Sequence, residues 1–402
     1  MEKRKEFIYY ILILFLILIC FPKSYIDDYL IIRKIVNISK LLVGTMIYIL
    51  YIFTLKKTGI QKITIFFSIF ISIALISTFI NDRDLIYFFR TYFFNLCVLL
   101  CMELSFKSKY RNDIFKFIGT FLYLLLVINF ATVVLKSFLG YNLYKSASTY
   151  FLGMDNRFLL FIIPCLLIND TLSEIIKNKK YSKRFWICYI IGTLSLLFTW
   201  SVASFLIMLL FGVLLKTFNT KKISLNSKVI LIAFFIINYL IVILKVQNIF
   251  SDFIVNTLHK SMTLSYRTIL WDSAIKLIKG NLVLGLGYFN TETIIPIYLN
   301  GGGVNHLHNL LVDITFSSGL LGLAFYTFSL ISISNNINNI KKRKHKNKVS
   351  LLFLSLLLYL VFESFELYPI YYFMLCIFYY IRYFEGSEIN EKNIYNNTKL
   401  QL

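Results

Sequence analysis

Apolar runs as long as a lipid bilayer is thick recur along the whole chain, and they constrain its fold more than any other feature. Residues 63–80, 114–135 and 185–199 can each cross ~30 Å of hydrocarbon as a helix that rises ~1.5 Å per residue. Of the 402 residues, 58% are hydrophobic and 15% are charged. A water-soluble fold could not bury that much apolar surface. The sequence therefore predicts an all-α, polytopic integral membrane protein.

The charges between the apolar runs predict the orientation of the chain. If residue 1 is cytoplasmic, the inner segments carry more than twice as many Lys and Arg as the outer segments. This asymmetry follows the positive-inside rule and predicts that both termini are cytoplasmic. The twelve predicted spans are residues 7–21, 38–55, 63–80, 85–103, 114–135, 158–169, 185–200, 203–218, 228–245, 310–333, 350–366 and 368–384.

The net charge of +22 would suggest nucleic-acid binding in a soluble protein. Here most basic residues lie in short segments between apolar runs, and no basic amphipathic face or recognition motif is present. The sequence therefore argues against a nucleic-acid partner. The basic run at residues 341–346 is interpreted as an anchor near anionic lipid. The six Cys lie inside or at the ends of apolar runs and show no disulfide framework or zinc signature.

The chain divides into four predicted regions. Residues 1–245 hold spans one to nine, residues 246–309 form an outer loop, residues 310–384 hold the last three spans, and residues 385–402 are a cytoplasmic tail. The loop is the only sizeable segment outside the bilayer. Chemistry on the outer face must use it.

The loop contains one predicted amphipathic helix. Ser265 can cap its start, the helix runs to Lys279, and Gly280 ends it. We expect it to lie on the membrane surface, with Arg267 in its first turn, where a helix N-terminus and a guanidinium could together hold an anion. A tight turn is expected at Gly285 and Gly287. The apolar stripe of the helix comprises Tyr266, Ile269, Leu270, Ala274, Leu277 and Ile278.

Two of the four His residues, His306 and His308, lie where the loop returns to the membrane. A His at a bilayer edge can remove a proton near neutral pH. Two other interpretations remain open. Both His could be interfacial polar residues that cap the next helix, or they could ligate zinc, for which only Glu292 and Asp313 are neighbouring carboxylates.

Two more arginines lie at predicted outer ends of spans. Arg90 lies two turns inside Asp84, where a charge costs at least ~2.5 kcal/mol on insertion scales. It could pair with Asp84 or Glu103, or bind substrate. Arg157 begins the sixth span and could bind substrate or extend to the interface.

Glu363 and Glu366 lie near the end of the eleventh span. Either could pair with one of the arginines or serve an ion-coupled transporter. A transporter or flippase with a dozen spans usually shows matching halves and broken helices near the midplane. The sequence shows no matching halves, and its polar residues gather at the outer edge.

Four segments give the chain a resemblance to the O-antigen polymerase and ligase superfamily of membrane glycosyltransferases. They are LGMDNRF (152–158), TWSVAS (199–204), SYRTILWDSAIKLIKGNLVLGLG (265–287) and HLHNLLVDITFSSGLLGL (306–323). The last two are the most specific. In ligase members a second Arg usually follows the Ser of the short link between spans seven and eight. In this chain the Ser is Ser201, and it is followed by Val202, which favours polymerase over ligase.

The resemblance implies transfer of a glycan from undecaprenyl diphosphate to an acceptor sugar hydroxyl, on the outer face of the bacterial cytoplasmic membrane. It implies inversion, and neither a metal nor a cofactor. Arg267 is then expected to bind the diphosphate, with Arg157 and Arg90 as second contacts. His308 is expected to be the base, because it directly precedes the Asn of the family-like HN pair, with His306 in reserve.

Substrate contacts are expected from Asn309 and from the aromatic residues Tyr266 and Trp271, with Tyr288 as a further candidate. These aromatic rings could stack on sugar faces or form part of an interfacial aromatic belt. The resemblance also implies partners, namely the lipid-linked oligosaccharide, the bilayer, a chain-length regulator and a flippase. A ligase with a different acceptor would share the same chemistry.

Overall fold

The computed structural model describes residues 2–21, 29–140, 149–220, 223–246, 249, 267–288 and 306–384. This part of the chain forms thirteen α-helices packed into one bundle, with a single two-residue strand pair. The helices are α1 (Glu2–Cys20), α2 (Leu30–Thr58), α3 (Lys62–Ile80), α4 (Leu85–Lys107), α5 (Arg111–Leu139), α6 (Leu159–Ile176), α7 (Lys179–Phe198), α8 (Val202–Thr220), α9 (Ser227–Asn238), α10 (Arg267–Ile278), α11 (Leu310–Asn338), α12 (Arg343–Phe362) and α13 (Pro369–Tyr380). The strands are β1 (Thr149–Tyr150) and β2 (Gly153–Met154).

The helices confirm the polytopic all-α prediction. Each predicted span coincides with one helix, and α10 is the predicted loop helix. Seven helices of the described part are long and apolar enough to cross a membrane, and three further apolar helices are shorter. A five-residue π-helix, Tyr239–Ile243, lengthens α9. The chain is therefore a multi-pass membrane protein.

Several predicted boundaries differ from the ends of the helices, and two of these differences affect residues of the outer end. Helix α2 begins at Leu30, eight residues before the predicted span, so that Arg33 lies within the helix. Helix α12 ends at Phe362, which leaves Glu363 and Glu366 in a short link before α13. Hydropathy detects the apolar centre of a span, whereas the polar ends of a helix extend beyond the hydrocarbon.

The predicted inner and outer segments meet at opposite ends of the bundle. At one end, the Arg157 guanidinium lies over the Tyr368 ring, 5.0 Å from its centroid. At the other end, Lys342 Nζ lies 3.6 Å from Glu174 Oε2. We call these the outer end and the inner end, in keeping with the predicted orientation.

Helix α11 packs along α3, and aromatic rings lock the two together. Phe67 and Phe70 of α3 both meet Tyr326 of α11 edge to face, with ring centroids 5.4 Å apart. Phe67 meets Tyr372 of α13 in the same way. Each such pair is worth about 0.5–1.5 kcal/mol beyond its buried area. Three helices are thus fixed relative to one another.

Helix α11 is broken at Gly319, whose φ of 63° interrupts the helical backbone. The segment after α10 binds at this break, and Leu286 N donates to Phe316 O at 2.7 Å. Gly285 and Gly287 have φ values of 75° and 77°, which confirms the predicted turn. A Cβ on Gly285 would lie 2.6 Å from Gly319 N, so only glycine permits this approach.

Helix α10 packs on protein through one face, and its position at the membrane surface stays a prediction. Leu270, Ala274 and Ile278 are buried against the start of α11. Ile269 and Leu277 of the predicted stripe are 38% and 41% exposed. The spacing of four residues between the buried positions gives a narrower stripe than predicted. The helix is therefore attached to the bundle.

Candidate active site

The carboxylate of Glu363 joins three predicted site residues at the outer end. Its Oε1 accepts a hydrogen bond from Arg267 Nη2 at 2.6 Å. Its Oε2 lies 3.1 Å from His308 Nδ1 and 3.4 Å from His306 Nε2. The Glu363 side chain is 4% exposed. The structure thus brings together the loop helix, the His segment and the link after α12.

Glu363 lies outside the spanning helices, and its charge is fixed by its neighbours. Burial alone would raise the pKa of its carboxyl, but hydrogen bonds with His306 and His308 and the charge of Arg267 hold that pKa well below its usual range. An ionised carboxylate only accepts hydrogen bonds. In its neutral form His308 must therefore carry its proton on Nδ1, which leaves the Nε2 lone pair free.

His308 combines access with a strained backbone. Its side chain is 27% exposed, and its φ of 51° lies in the left-handed region. That conformation costs a non-glycine residue about 1–3 kcal/mol and is typical of functional sites. The ring centroid of His306 lies 4.1 Å away. An imidazole with a fixed orientation and a free, accessible nitrogen can act as a general base.

Asn309 supports His308 from below. The sequence predicts Asn309 as a substrate contact, but the side chain is completely buried. Its Oδ1 accepts a hydrogen bond from Val312 N at 3.0 Å, so Asn309 caps α11, the role that the capping interpretation gave to the two His residues. Its Nδ2 donates to Asn238 Oδ1 at 2.8 Å and to Val361 O at 2.9 Å. Asn309 is a positioning residue because it ties three helices together next to His308.

Trp271 supports the same segment from the side. It is predicted to stack on a sugar, yet it is 1% exposed, and its Nε1 donates to Leu307 O at 2.8 Å. Leu307 N donates to Asp313 Oδ1 at 2.9 Å. An indole buries a large apolar ring and needs one acceptor for its N–H, and Leu307 supplies that acceptor. Trp271 therefore holds the residue between the two His.

Four other residues named in the sequence analysis lie outside the candidate site or outside the described part of the chain. Tyr266, the cap Ser265 and Glu292 lie outside the described residues, and α10 is described from Arg267 onward. Tyr288 is 6% exposed, and its ring stacks on Tyr87 with centroids 5.4 Å apart. Tyr288 therefore packs at the outer end and offers no open face to a sugar.

Arg157 and Arg90 line a cavity of about 640 Å³ at the outer end. Tyr368, under the Arg157 guanidinium, lines the same cavity. Leu367 of the link that carries Glu363 also lines it. The cavity therefore adjoins the link that carries Glu363, although Arg267 is not one of its lining residues.

Neither suggested carboxylate pairs with Arg90. Glu103 lies at the inner end, where it binds Lys107. Asp84 accepts a hydrogen bond from Tyr87 N at 2.9 Å and thereby caps α4. Arg90 is exposed toward the cavity, and the described residues supply it with no ion pair.

Of the two carboxylates Glu363 and Glu366, Glu366 does not bind an arginine of the described residues. It is 4% exposed, and its Oε1 accepts a hydrogen bond from Tyr92 at 3.4 Å. Burial and the neighbouring Asp313 raise the pKa of Glu366 well above its usual value. None of the described arginines pairs with it, so Glu363 alone takes that role among the described residues.

The same three side chains could also hold a metal ion. The ligand atoms of His306, His308 and Glu363 all lie within 4.8 Å of one another. Sequence reasoning missed this set because Glu363 is distant in sequence. Two imidazoles and one carboxylate suit zinc. Arg267 on the same carboxylate, however, would place a positive charge beside the ion and oppose its binding.

Comparison with known proteins identifies one family that part of the chain resembles. The model of the family described as O-antigen ligase matches residues 185–327. No curated protein and no solved structure matches the chain. The matched region contains Arg267, His306 and His308, whereas Glu363 and Arg157 lie outside it. Over residues 185–327 the chain is therefore similar to a family described as O-antigen ligase, and this similarity supports a membrane glycosyltransferase-like enzyme.

Proposed function

We propose that the protein polymerises repeat units of a bacterial surface polysaccharide. It transfers a growing glycan from undecaprenyl diphosphate to a sugar hydroxyl of the next lipid-linked unit. The reaction takes place on the outer face of the cytoplasmic membrane, with both termini inside. The observation that carries this proposal is the 3.1 Å contact between Glu363 Oε2 and His308 Nδ1, which leaves His308 Nε2 free to act as a base.

The proposed reaction exchanges one bond at the anomeric carbon. His308 Nε2 takes the proton of the acceptor hydroxyl as its oxygen attacks that carbon from the face opposite the diphosphate. The bond between the carbon and the phosphate oxygen breaks, and its electron pair leaves with the diphosphate. A new glycosidic bond forms with inverted configuration. Glu363 stabilises the positive charge that develops on His308.

Arginines suit the leaving group in this reaction. A diphosphate that is already a good leaving group needs cationic hydrogen-bond donors, and a guanidinium can hold two phosphate oxygens at once. Arg267 uses one of its five N–H groups on Glu363 Oε1, which leaves donors for a phosphate. Arg157 and Arg90 in the adjoining cavity supply the second contacts.

Incubation of the purified protein with lipid-linked repeat units, followed by sizing of the products, tests the proposal. A ladder of products differing by one repeat unit is expected. Transfer to a different acceptor would overturn polymerase in favour of ligase. Movement of units across the membrane without new bonds would favour a flippase and remove His308 from catalysis.

A ligase is the second candidate, because the matching family is described as O-antigen ligase. Its chemistry would use the same residues, and its acceptor would be a finished lipid, protein or wall component. Val202 after Ser201 supports the polymerase, because ligase members usually carry an Arg there. The proposed partners, a flippase and a chain-length regulator, also belong to the polymerase proposal.

A further inference from the structure

One wall of the cavity beside the candidate site is formed by α2. Arg33, Asn37 and Lys40 line it, and their spacing of four and three residues places them on one face of the helix. Lys34 lines it as well. Lys40 is only 8% exposed, so a positive charge lies deep in this wall. The rest of α2 is largely apolar, which makes this polar face distinctive.

The cavity is strongly positive. Five lining side chains are cationic, and no lining residue in the described part of the chain is acidic. Arg33, Lys34, Arg90 and Arg157 form no ion pair with a described carboxylate. Cationic side chains gathered around one space repel one another unless an anion lies between them. The lining is thus suited to a ligand with several negative charges.

The diphosphate of the lipid carrier accounts for only part of this charge. Each phosphate of a diphosphate diester carries one negative charge, and Arg90 and Arg157 can offset both. Arg33 and Lys34 of α2 then remain in the lining. A cavity of about 640 Å³ is also larger than one diphosphate requires and lies in the range of sites for drug-sized ligands.

The position of these cations also calls for an explanation. Basic residues are depleted on the outer side of membrane proteins, yet five of them surround this cavity at the end assigned to the outside. Asn37 and Tyr368 in the lining can hydrogen-bond to neutral hydroxyls. Cations next to such groups match a sugar that carries a carboxylate or a phosphate.

We infer that the α2 wall binds an acidic sugar of the glycan, so that the substrates are repeat units carrying a uronate or a phosphate substituent. This inference rests on the proposed function for the identity of the ligand as a glycan. The acidic group lies against Arg33 and Lys34, while the diphosphate lies against Arg90 and Arg157. The cavity then selects among glycans by charge.

Binding of soluble probes tests the inference without requiring transfer. The full chain in nanodiscs of neutral phosphatidylcholine is titrated with a disaccharide containing glucuronic acid, and with the same disaccharide whose carboxyl is reduced to an alcohol. Calorimetry at low salt is expected to show at least about tenfold tighter binding of the acidic probe. Equal affinity for the two probes would overturn the inference.

Matched variants locate the binding site. Arg33→Gln with Lys34→Gln is expected to abolish the preference, and Arg33→Lys with Lys34→Arg is expected to keep it. Lys179→Gln with Lys180→Gln removes two exposed charges at the inner end and is expected to change nothing. A preference that survives in the first pair, or that disappears in the inner-end pair, would place the binding elsewhere and overturn the inference.

Two further measurements separate the inference from its alternatives. Adding phosphatidylglycerol to the nanodiscs is expected to leave binding of the acidic probe unchanged. Its displacement by that lipid would assign the wall to a phospholipid headgroup and overturn the inference. If no transfer occurs with lipid-linked units while the acidic preference persists, the charge selectivity stands and the proposed reaction fails.

Discussion

The bundle contains two clusters in which one carboxylate binds histidine and a cation, one at each end. At the outer end Glu363 binds His306, His308 and Arg267. At the inner end Asp170 Oδ2 lies 2.8 Å from His345 Nδ1, and its other oxygen binds Lys348. The chemical groups are nearly the same, but their surroundings differ.

Exposure and backbone separate the two clusters. The His345 side chain is 1% exposed and belongs to the regular helix α12, whereas His308 is 27% exposed and has a positive φ. In the inner cluster every group is turned toward its partner inside the bundle. In the outer cluster His308 keeps one nitrogen available. Similar side chains therefore stabilise the fold in the inner cluster and form a candidate catalytic group in the outer cluster.

The largest expected effect comes from His308→Ala. Loss of a general base is expected to lower the transfer rate by about 10²–10⁴-fold, with single repeat units accumulating on lipid. Product sizing on lipid-linked substrate measures this, with His345→Asn as the inner counterpart that keeps the rate per folded molecule. Normal long-chain products from His308→Ala would exclude His308 as the base.

Glu363→Gln is expected to have the next largest effect. A hydrogen bond to a charged group is worth about 1.5–3 kcal/mol, which corresponds to about 10–100-fold in rate. Gln keeps the size of the side chain but can no longer fix the tautomer of His308. Initial transfer rates measure the loss, and Glu366→Gln serves as the control that retains activity. Equal rates for both variants would remove Glu363 from the site.

Arg267→Lys is expected to lower the rate by about tenfold. An ammonium keeps the charge but cannot form the two parallel hydrogen bonds of a guanidinium. The comparison variant Arg184→Lys alters an inner arginine that donates to Thr120 and is expected to keep full activity. Rates at saturating donor distinguish the two. A fully active Arg267→Lys would show that Arg267 does not contact the diphosphate.

Asp170→Asn is expected to affect stability and leave activity per folded molecule nearly unchanged. A buried hydrogen-bonding group that loses its charged partner costs about 1–3 kcal/mol. Thermal unfolding in detergent measures the decrease in Tm. Asp113→Asn is the control, because it removes an ion pair in which the side chains of Lys116 and Asp113 are 42% and 59% exposed. Loss of this exposed pair is expected to lower the free energy of unfolding by no more than about 1 kcal/mol. A larger loss of activity than of stability in Asp170→Asn would contradict the structural assignment of the inner cluster.

Hydropathy and charge predicted the twelve spans because lipid imposes a length and a composition on every helix that crosses it. The same patterns placed Arg267 and the two His at the outer end. They could not identify Glu363 as the common partner, since it lies 55 residues from His308 and 96 from Arg267 along the chain. Only packing reveals which of two neighbouring carboxylates faces the site.

The direction in which a side chain points could not be predicted from the sequence either. Trp271 and Asn309 have the chemistry of sugar contacts, and both lie in the segments that resemble the family. The structure turns them inward, where each satisfies buried backbone groups around the His segment. An aromatic or amide side chain is equally suited to either role. Its role therefore depends on the rotation of its helix, which a single sequence does not specify.

The break at Gly319 in α11 provides an attachment point for the segment after α10. Backbone groups freed by the break are bound by the segment after α10, and Tyr288 N donates to Thr78 at 2.9 Å. The chain is thus anchored immediately before residue 289, and the bond between Leu307 and Asp313 anchors it again after residue 305. The segment after α10 and the segment that carries His308 are therefore each held to the bundle by contacts of their own.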